Sequence, residues 1–278
     1  MEKTKDALEK LEAGISELLT SNNWQQYLKK QSQFHRYSFN NTMLILLQCP
    51  HASRVAGYQQ WQNLGRQVKK GEKGIKILAP LKRKVERETD NGNPEFKWIL
   101  NGFKIVSVFD ISQTEGDDLP QIVSSLTGDD QGLLNRLVAF SENNKVPVYF
   151  KGALGANGYC RYDRITGEPK EIVVDPLLPP LGKAKTLAHE IAHSILHKRG
   201  DYVEHTPTST AELEAESVAF VILQHFGLDS SNYSFGYICS WQQEKDAIEQ
   251  LKRSGASIQK AAQQVIDFLS IQSSYAVA

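Results

Sequence analysis

The sequence predicts an α+β protein of two domains, and three observations lead there. An apolar helical run carries His189-Glu190-Ile191-Ala192-His193, and a second apolar run with three glutamates follows it. Two strand-like runs, Ile75 to Val85 and Phe96 to Val108, flank the hairpin signal Asn91-Gly92. The charge is split: between Gln25 and Lys84 stand twelve Lys or Arg against one acid, Glu72, a net +11 that the rest of the chain balances to zero. A chain of 278 residues can bury two cores. The expected division is residues 1–115, a linker at 116–124, and 125–278.

The elements follow in order. Leu8, Leu11, Ile15, Leu18 and Leu19 recur at helical spacing, so the chain opens with an amphipathic helix over Ala7 to Leu19. Aromatics then appear among the cations: Trp24, Tyr27, Phe34, His35, Tyr37, Phe39, Tyr58 and Trp61. Cations neutralise phosphates and exposed rings stack on unpaired bases, so this combination suits single-stranded nucleic acid. The competing expectation is that Trp24, Tyr27 and Trp61 are core. Lys69-Lys70-Gly71-Glu72-Lys73-Gly74 forms a turn whose backbone can approach a phosphate, or a plain solvated hairpin tip.

After the Ile75 and Phe96 strands, the polar stretch Ser112 to Pro120 is expected to be a linker, and Leu126 to Ser141 a helix. Gly152, Gly155 and Gly158 lead through Cys160 to Glu171-Ile172-Val173-Val174, a turn with strands. Beyond Gly227, the aromatic stretch Tyr233 to Trp241 precedes two helices, Gln242 to Lys252 and Ile258 to Leu269.

The chemistry concentrates at His189. Residues i and i+4 lie on one face of a helix, so both imidazoles can reach one metal ion, with the Glu190 carboxylate beside them to take a proton from an attacking water. Pro179, Pro180 and Gly182 feed the helix start. A catalytic zinc takes three protein ligands and one open position. His197 is an unpromising third ligand, because each i+4 step drifts by about 40° and the second step carries it a turn too far. The better source is the run from Ala211 to Leu223, with Glu212, Glu214 and Glu216. Glu212 and Glu216 share a face, Glu214 lies on the other flank, and at least one of the three is expected to be a solvated charge. Periodicity does not choose among them. A donor for the attacked carbonyl is sought in Tyr159 or His205.

His189 to His193, followed by Glu214-Ala215-Glu216-Ser217-Val218-Ala219-Phe220, resembles the zinc core of ImmA/IrrE-type and ArdC-type metallopeptidase domains. The resemblance implies zinc on His189, His193 and Glu216, with Glu212 in reserve and Glu190 as general base. A second set of motifs lies upstream: Trp24 and Tyr27, Phe34 to Asn41, Val55 to Trp61, Leu64 to Arg66 and Val68 to Ile75. They are similar to the N-terminal domain of ArdC-type antirestriction proteins. This implies a single-stranded-DNA-binding module with Lys29, Lys30, Arg36, Tyr37, Asn40, Asn41, Arg66, Lys69, Lys70 and Lys73 as contacts. It also implies a protein of mobile genetic elements such as conjugative plasmids.

Composition narrows the class. The longest apolar stretch, Met43 to Leu47, is far below a membrane span, and the N-terminus lacks a signal-peptide core. Cys49, Cys160 and Cys239 are odd in number and widely spaced, which fits reduced cytoplasmic thiols. The expected partners are single-stranded DNA and a protein substrate, with no membrane. Two other readings share these residues: a regulatory zinc protease that cleaves a repressor, and a DNA-binding module whose zinc is not catalytic.

Overall fold

The computed structural model describes residues 2–88, 94–119, 130–153, 155–199, 206–228, 235, 238 and 246–275. The hairpin tip at Asn91-Gly92, most of the Tyr233 to Trp241 stretch, Cys239, His205 and the linker beyond Leu119 lie outside the described residues. Helix and strand are mixed in an α+β arrangement, and the chain divides into two compact units. The first takes Met1–Gly14 and Asn40–Leu119, and the second Ile15–Phe39 and Pro120–Ala278.

Helix α1 (Glu2–Glu17) opens the chain, followed by α2 (Ser21–Gln33). Thr20 caps α2 by accepting the Asn23 N–H at 3.4 Å, which satisfies one of the free donors of the first turn. Trp24 and Tyr27 of α2 are fully buried, with rings stacked at 5.3 Å. These rings seat α2 in the second unit. Their burial removes them as base-stacking platforms.

The first unit is built on the long hairpin β3 (Ile75–Glu88) and β4 (Pro94–Asp110), preceded by α3 (Phe39–Gln48), β1 (Val55–Ala56), α4 (Tyr58–Asn63) and β2 (Arg66–Val68). The sheet order is β1-β4-β3, all antiparallel. Two amides of α3 blunt the β3 edge. Asn41 exchanges two hydrogen bonds with the Leu78 backbone at 2.9 Å, and Gln48 does the same at Lys76. They satisfy backbone groups that would otherwise invite another strand. Ile75, Ile77, Leu78 and Val108 form the buried inner half of the hairpin, with Trp61 of α4 donating to the Phe109 carbonyl at 2.9 Å.

At the end of β4, the buried Asp110 carboxylate accepts from the backbone of Ser53, Arg54 and Ser112. Burial pushes its carboxyl upward, but these bonds and the Ser112 hydroxyl outweigh burial and hold it below the usual aspartate range. The turn it caps leads into β5 (Thr114–Gly116), which pairs with β2. The start of the stretch expected to be a linker is thus ordered: Ser112 and Gln113 lie in a 3-10 turn and Thr114–Gly116 in a strand.

In the second unit, α5 (Asp130–Asn143) is followed by a sheet of order β6-β8-β7, from β6 (Val148–Phe150), β7 (Gly158–Tyr162) and β8 (Pro169–Val174). β6 runs parallel to β8 and β7 antiparallel to it, which leaves β7 at an edge. Helices α6 (Pro180–Leu196), α7 (Thr208–His225) and α8 (Ala247–Tyr275) complete the unit. α6 lies on β7 and β8, and α7 packs against α6, α8 and α2. Its side chains are buried on every face from Leu213 to Leu223 except at Glu216, the pattern of a helix enclosed all round.

Trp24 reaches into this core and donates to the Ser217 hydroxyl at 2.9 Å. The tail forms one helix rather than the expected two. Gly255 sits where the Phe39 ring closes on α8, and an added Cβ would stand 2.2 Å from that ring. Close packing keeps the glycine inside a continuous helix instead of ending it. Among the described residues no helix is long and apolar enough to cross a membrane.

Candidate metal centre

Pro180 starts α6, where its missing N–H costs nothing and its fixed φ suits a first turn. The helix lies so close to β7 that a Cβ on Gly158 would meet Thr186 Cγ2 at 2.5 Å and the Val173 carbonyl at 2.8 Å. Glycine there lets strand and helix touch. This puts Gly158, Tyr159, Cys160 and Tyr162 of β7 beside His189 and Glu190.

The structure brings three donors together: His189, His193 and Glu212, with ligand atoms all within 4.8 Å of one another. The two Nε2 atoms are 3.0 Å apart, and Glu212 places one oxygen 3.3 Å from His189 and the other 3.5 Å from His193. Four ligands at the ~2.0–2.1 Å bond lengths of zinc in a tetrahedron sit about 3.3 Å from each other. The donor set and its spacing therefore fit a small divalent cation.

Glu216, the carboxylate expected to complete this set, stands elsewhere. α7 passes α6 in the opposite direction, so four residues on from Glu212 carry Glu216 about 6 Å along the axis, to a pocket lined by Lys185, Thr186, His189 and Glu190. Hydrogen bonds to His189 and His193 hold the Glu212 carboxyl well below the usual range, whereas burial raises that of Glu216. For His189, burial pulls the imidazole down, but the Glu212, Glu190 and Glu216 carboxylates outweigh it. In His193 burial dominates and lowers it.

Behind the donors lies a chain that sequence reasoning missed. His193 Nδ1 meets His197 Nδ1 at 2.9 Å, and His197 Nε2 meets Glu214 at 2.8 Å. Glu214 is 8 % exposed, so it is not a solvated helix charge, whereas Glu212 and Glu216 are partly exposed. A buried carboxylate needs a partner, and that requirement, with a third histidine one turn on, was the signal available. His197 lies outside the cluster of three donors, and its contact with His193 Nδ1 leaves Nε2 of that ring facing them. Replacing Glu214 by glutamine, or His197 by phenylalanine, is expected to weaken metal binding by about 10–100-fold. A competition titration with a chromophoric chelator checks this; unchanged affinity in both variants contradicts it.

Glu190 is 8 % exposed, accepts the Cys160 backbone N–H and does not belong to the donor triad. Burial raises its carboxyl toward the range of a proton acceptor. It shares a pocket with Tyr162, Arg199 and the three donors. The Tyr162 hydroxyl is buried without an oxygen or nitrogen partner, beside the Cys160 thiol. Burial raises the phenol and pushes the thiol up to about 12, so both keep their protons. Of the two candidate donors, Tyr159 lines this same pocket beside Cys160 and Tyr162, and His205 lies outside the described residues.

The expected nucleic-acid contacts are divided between the two units. Lys29, Lys30, Arg36 and Tyr37 belong to the second unit, and Asn40, Asn41, Arg66, Lys69, Lys70 and Lys73 to the first. Several already have structural work. Arg36 pairs with Asp267 at 3.0 Å, Asn41 holds the β3 edge, and Arg66 donates to Thr114 and to the Gly116 and Asp117 carbonyls. Lys69 donates to the Ser112 carbonyl at 3.0 Å, while Lys70 and Lys73 are exposed on the turn.

Comparisons with known proteins match the chain in two stretches, the first of which includes the Ile15–Phe39 segment of the second unit. Residues 2–109 match the family model for the N-terminal domain of anti-restriction factor ArdC, and residues 142–227 the IrrE N-terminal-like domain. An uncharacterised protein of Bacillus anthracis is 27 % identical over 302 aligned residues, which cover 96 % of this chain and 51 % of that protein. The chain thus spans about half the length of that curated relative. Among solved structures, the metal-free crystal structure of antirestriction protein ArdC from plasmid R388 gives a TM-score of 0.46 at 22 % identity, covering 84 % of this chain and 86 % of that one. Its Mn(II)-bound form gives the same score and identity, covering 88 % and 98 %.

Proposed function

Because the chain joins an ArdC-type anti-restriction N-terminal domain to an IrrE-like domain, we propose that it binds single-stranded DNA and hydrolyses peptide bonds at a zinc site. The observation that carries the hydrolytic half is the convergence of His189, His193 and Glu212 beside a buried carboxylate, Glu190, outside the donor set. A site that only stabilised the fold would have no use for that carboxylate. His189, His193 and Glu212 would hold the ion, with His197 and Glu214 orienting His193. A bound zinc supplies Lewis acidity to the attacked carbonyl.

The remaining steps belong to the chain. Glu190 takes the proton of the attacking water and returns it to the leaving amine. The buried Tyr162 hydroxyl donates toward the developing oxyanion, with the Arg199 guanidinium 5.9 Å from its ring. β7 is an edge strand next to Glu190, so an extended peptide can pair with it and enter the site in a fixed direction.

The DNA-binding half rests on the +11 segment between Gln25 and Lys84 and on the family of residues 2–109. The expected outcome is a steep fall in single-strand affinity of the full chain with salt, since each neutralised phosphate releases counterions. Fluorescence anisotropy of a labelled oligothymidylate across a salt series measures it. A flat response would sink the electrostatic account.

A further inference from the structure

The hairpin of β3 and β4 changes character along its length. Its inner half is buried at Ile75, Ile77, Leu78 and Val108, but past the irregularity between Pro80 and Lys82 the side chains emerge. Phe96 is 52 % exposed, Trp98 63 % and Leu100 57 %. Trp24 and Trp61, by contrast, are at most 1 % exposed. Three consecutive same-face apolar side chains left in water are costly unless something covers them.

The register says what accompanies them. Trp98 stands opposite Lys84, Leu100 opposite Lys82 and Phe96 opposite Glu86, and directly opposed residues of an antiparallel pair share a face, so the cations accompany the Trp98 and Leu100 end of the row. One face of the blade therefore carries a row of Phe96, Trp98 and Leu100 beside a row of Lys82 and Lys84. Lys84 Nζ lies 3.8 Å from the Phe96 ring centroid, which ties the two rows together. Two residues along a strand advance about 6.8 Å, roughly twice the ~3.4 Å rise per nucleotide of a stacked strand. That spacing leaves room for one base between neighbouring rings.

We propose that this outer blade is the base-stacking surface for single-stranded nucleic acid. The proposal rests on the DNA-binding reading above and assigns it to residues distinct from the expected contacts. Bases stack on Phe96 and Trp98, Leu100 extends the apolar row, and Lys82 and Lys84 meet the phosphates one strand over. Duplex DNA keeps its bases paired and offers nothing to these rings. A second copy of the chain is a poor occupant, because stable dimers bury about 1,200–2,000 Å² and three side chains supply far less.

The test uses the full chain, a labelled oligothymidylate, and the Phe96→Ala/Trp98→Ala variant, whose substitutions lie on the surface. Affinity is expected to fall at least about tenfold with the slope of affinity against salt unchanged, because rings and not cations are lost. Trp98→Phe should retain most of the binding. Lys82→Ala/Lys84→Ala should instead flatten the salt slope by about 1.4.

If the ring variant binds like the parent while Lys69→Ala/Lys70→Ala/Lys73→Ala does not, the blade is overturned and the single-strand reading stands. If the parent binds no single strand, both fall. Ring-dependent binding to phosphatidylserine vesicles without oligothymidylate binding, or a parental dimer that the ring variant dissolves, would overturn the blade in favour of a membrane or a second copy.

Discussion

Replacing Glu190 by glutamine is expected to cut peptide hydrolysis by about 10²–10⁴-fold while leaving metal content unchanged. The two effects separate because Glu190 sits beside the donors without joining them. The amide keeps the size of the carboxylate but cannot take a proton. Its carboxylate accepts the Cys160 N–H, and a glutamine oxygen can accept the same bond, so the strand-to-helix contact survives. Single-strand binding should persist in this variant. Cleavage of an unfolded protein substrate, read beside metal per chain, checks the prediction. Equal cleavage by parent and variant would remove Glu190 from the chemistry, and metal loss would make it structural.

The parts of this molecule that were legible in its sequence are those set by local spacing. His189 and His193 face together because four residues make about one helical turn, and the β3 and β4 arms follow from their alternation around the hairpin signal. What was illegible depends on how elements pack. Choosing Glu212 over Glu216 requires the register of α7 on α6, which no period within either helix encodes. Trp24, Tyr27, Phe34, Phe39 and Trp61 lie in or near a strongly basic segment, yet all are buried. Composition cannot say which way a ring turns. Conversely, Phe96 to Leu100 has the apolar content of a covered strand, and only the tertiary packing shows that among the described residues its Phe96, Trp98 and Leu100 face is bare. Glu214 was hidden by a similar limit, since its His197 partner comes from another helix.

Glu212→Ala is expected to lose the metal, by more than the 10–100-fold that removing an outer partner costs, whereas Glu216→Ala should keep it. Glu212 alone among the α7 carboxylates has an oxygen near each imidazole, at 3.3 and 3.5 Å. Removing it leaves two histidines, short of the three protein ligands of a catalytic zinc. Glu216 lines the neighbouring pocket with Lys185 and Thr186, so its loss should alter what binds beside the site and not the ion itself. The most direct measurement is metal per chain by mass spectrometry after equilibration with limiting zinc, for the parent and both variants. The donor triad predicts one equivalent in the parent and in Glu216→Ala, and next to none in Glu212→Ala. Retention by Glu212→Ala with loss from Glu216→Ala would contradict it.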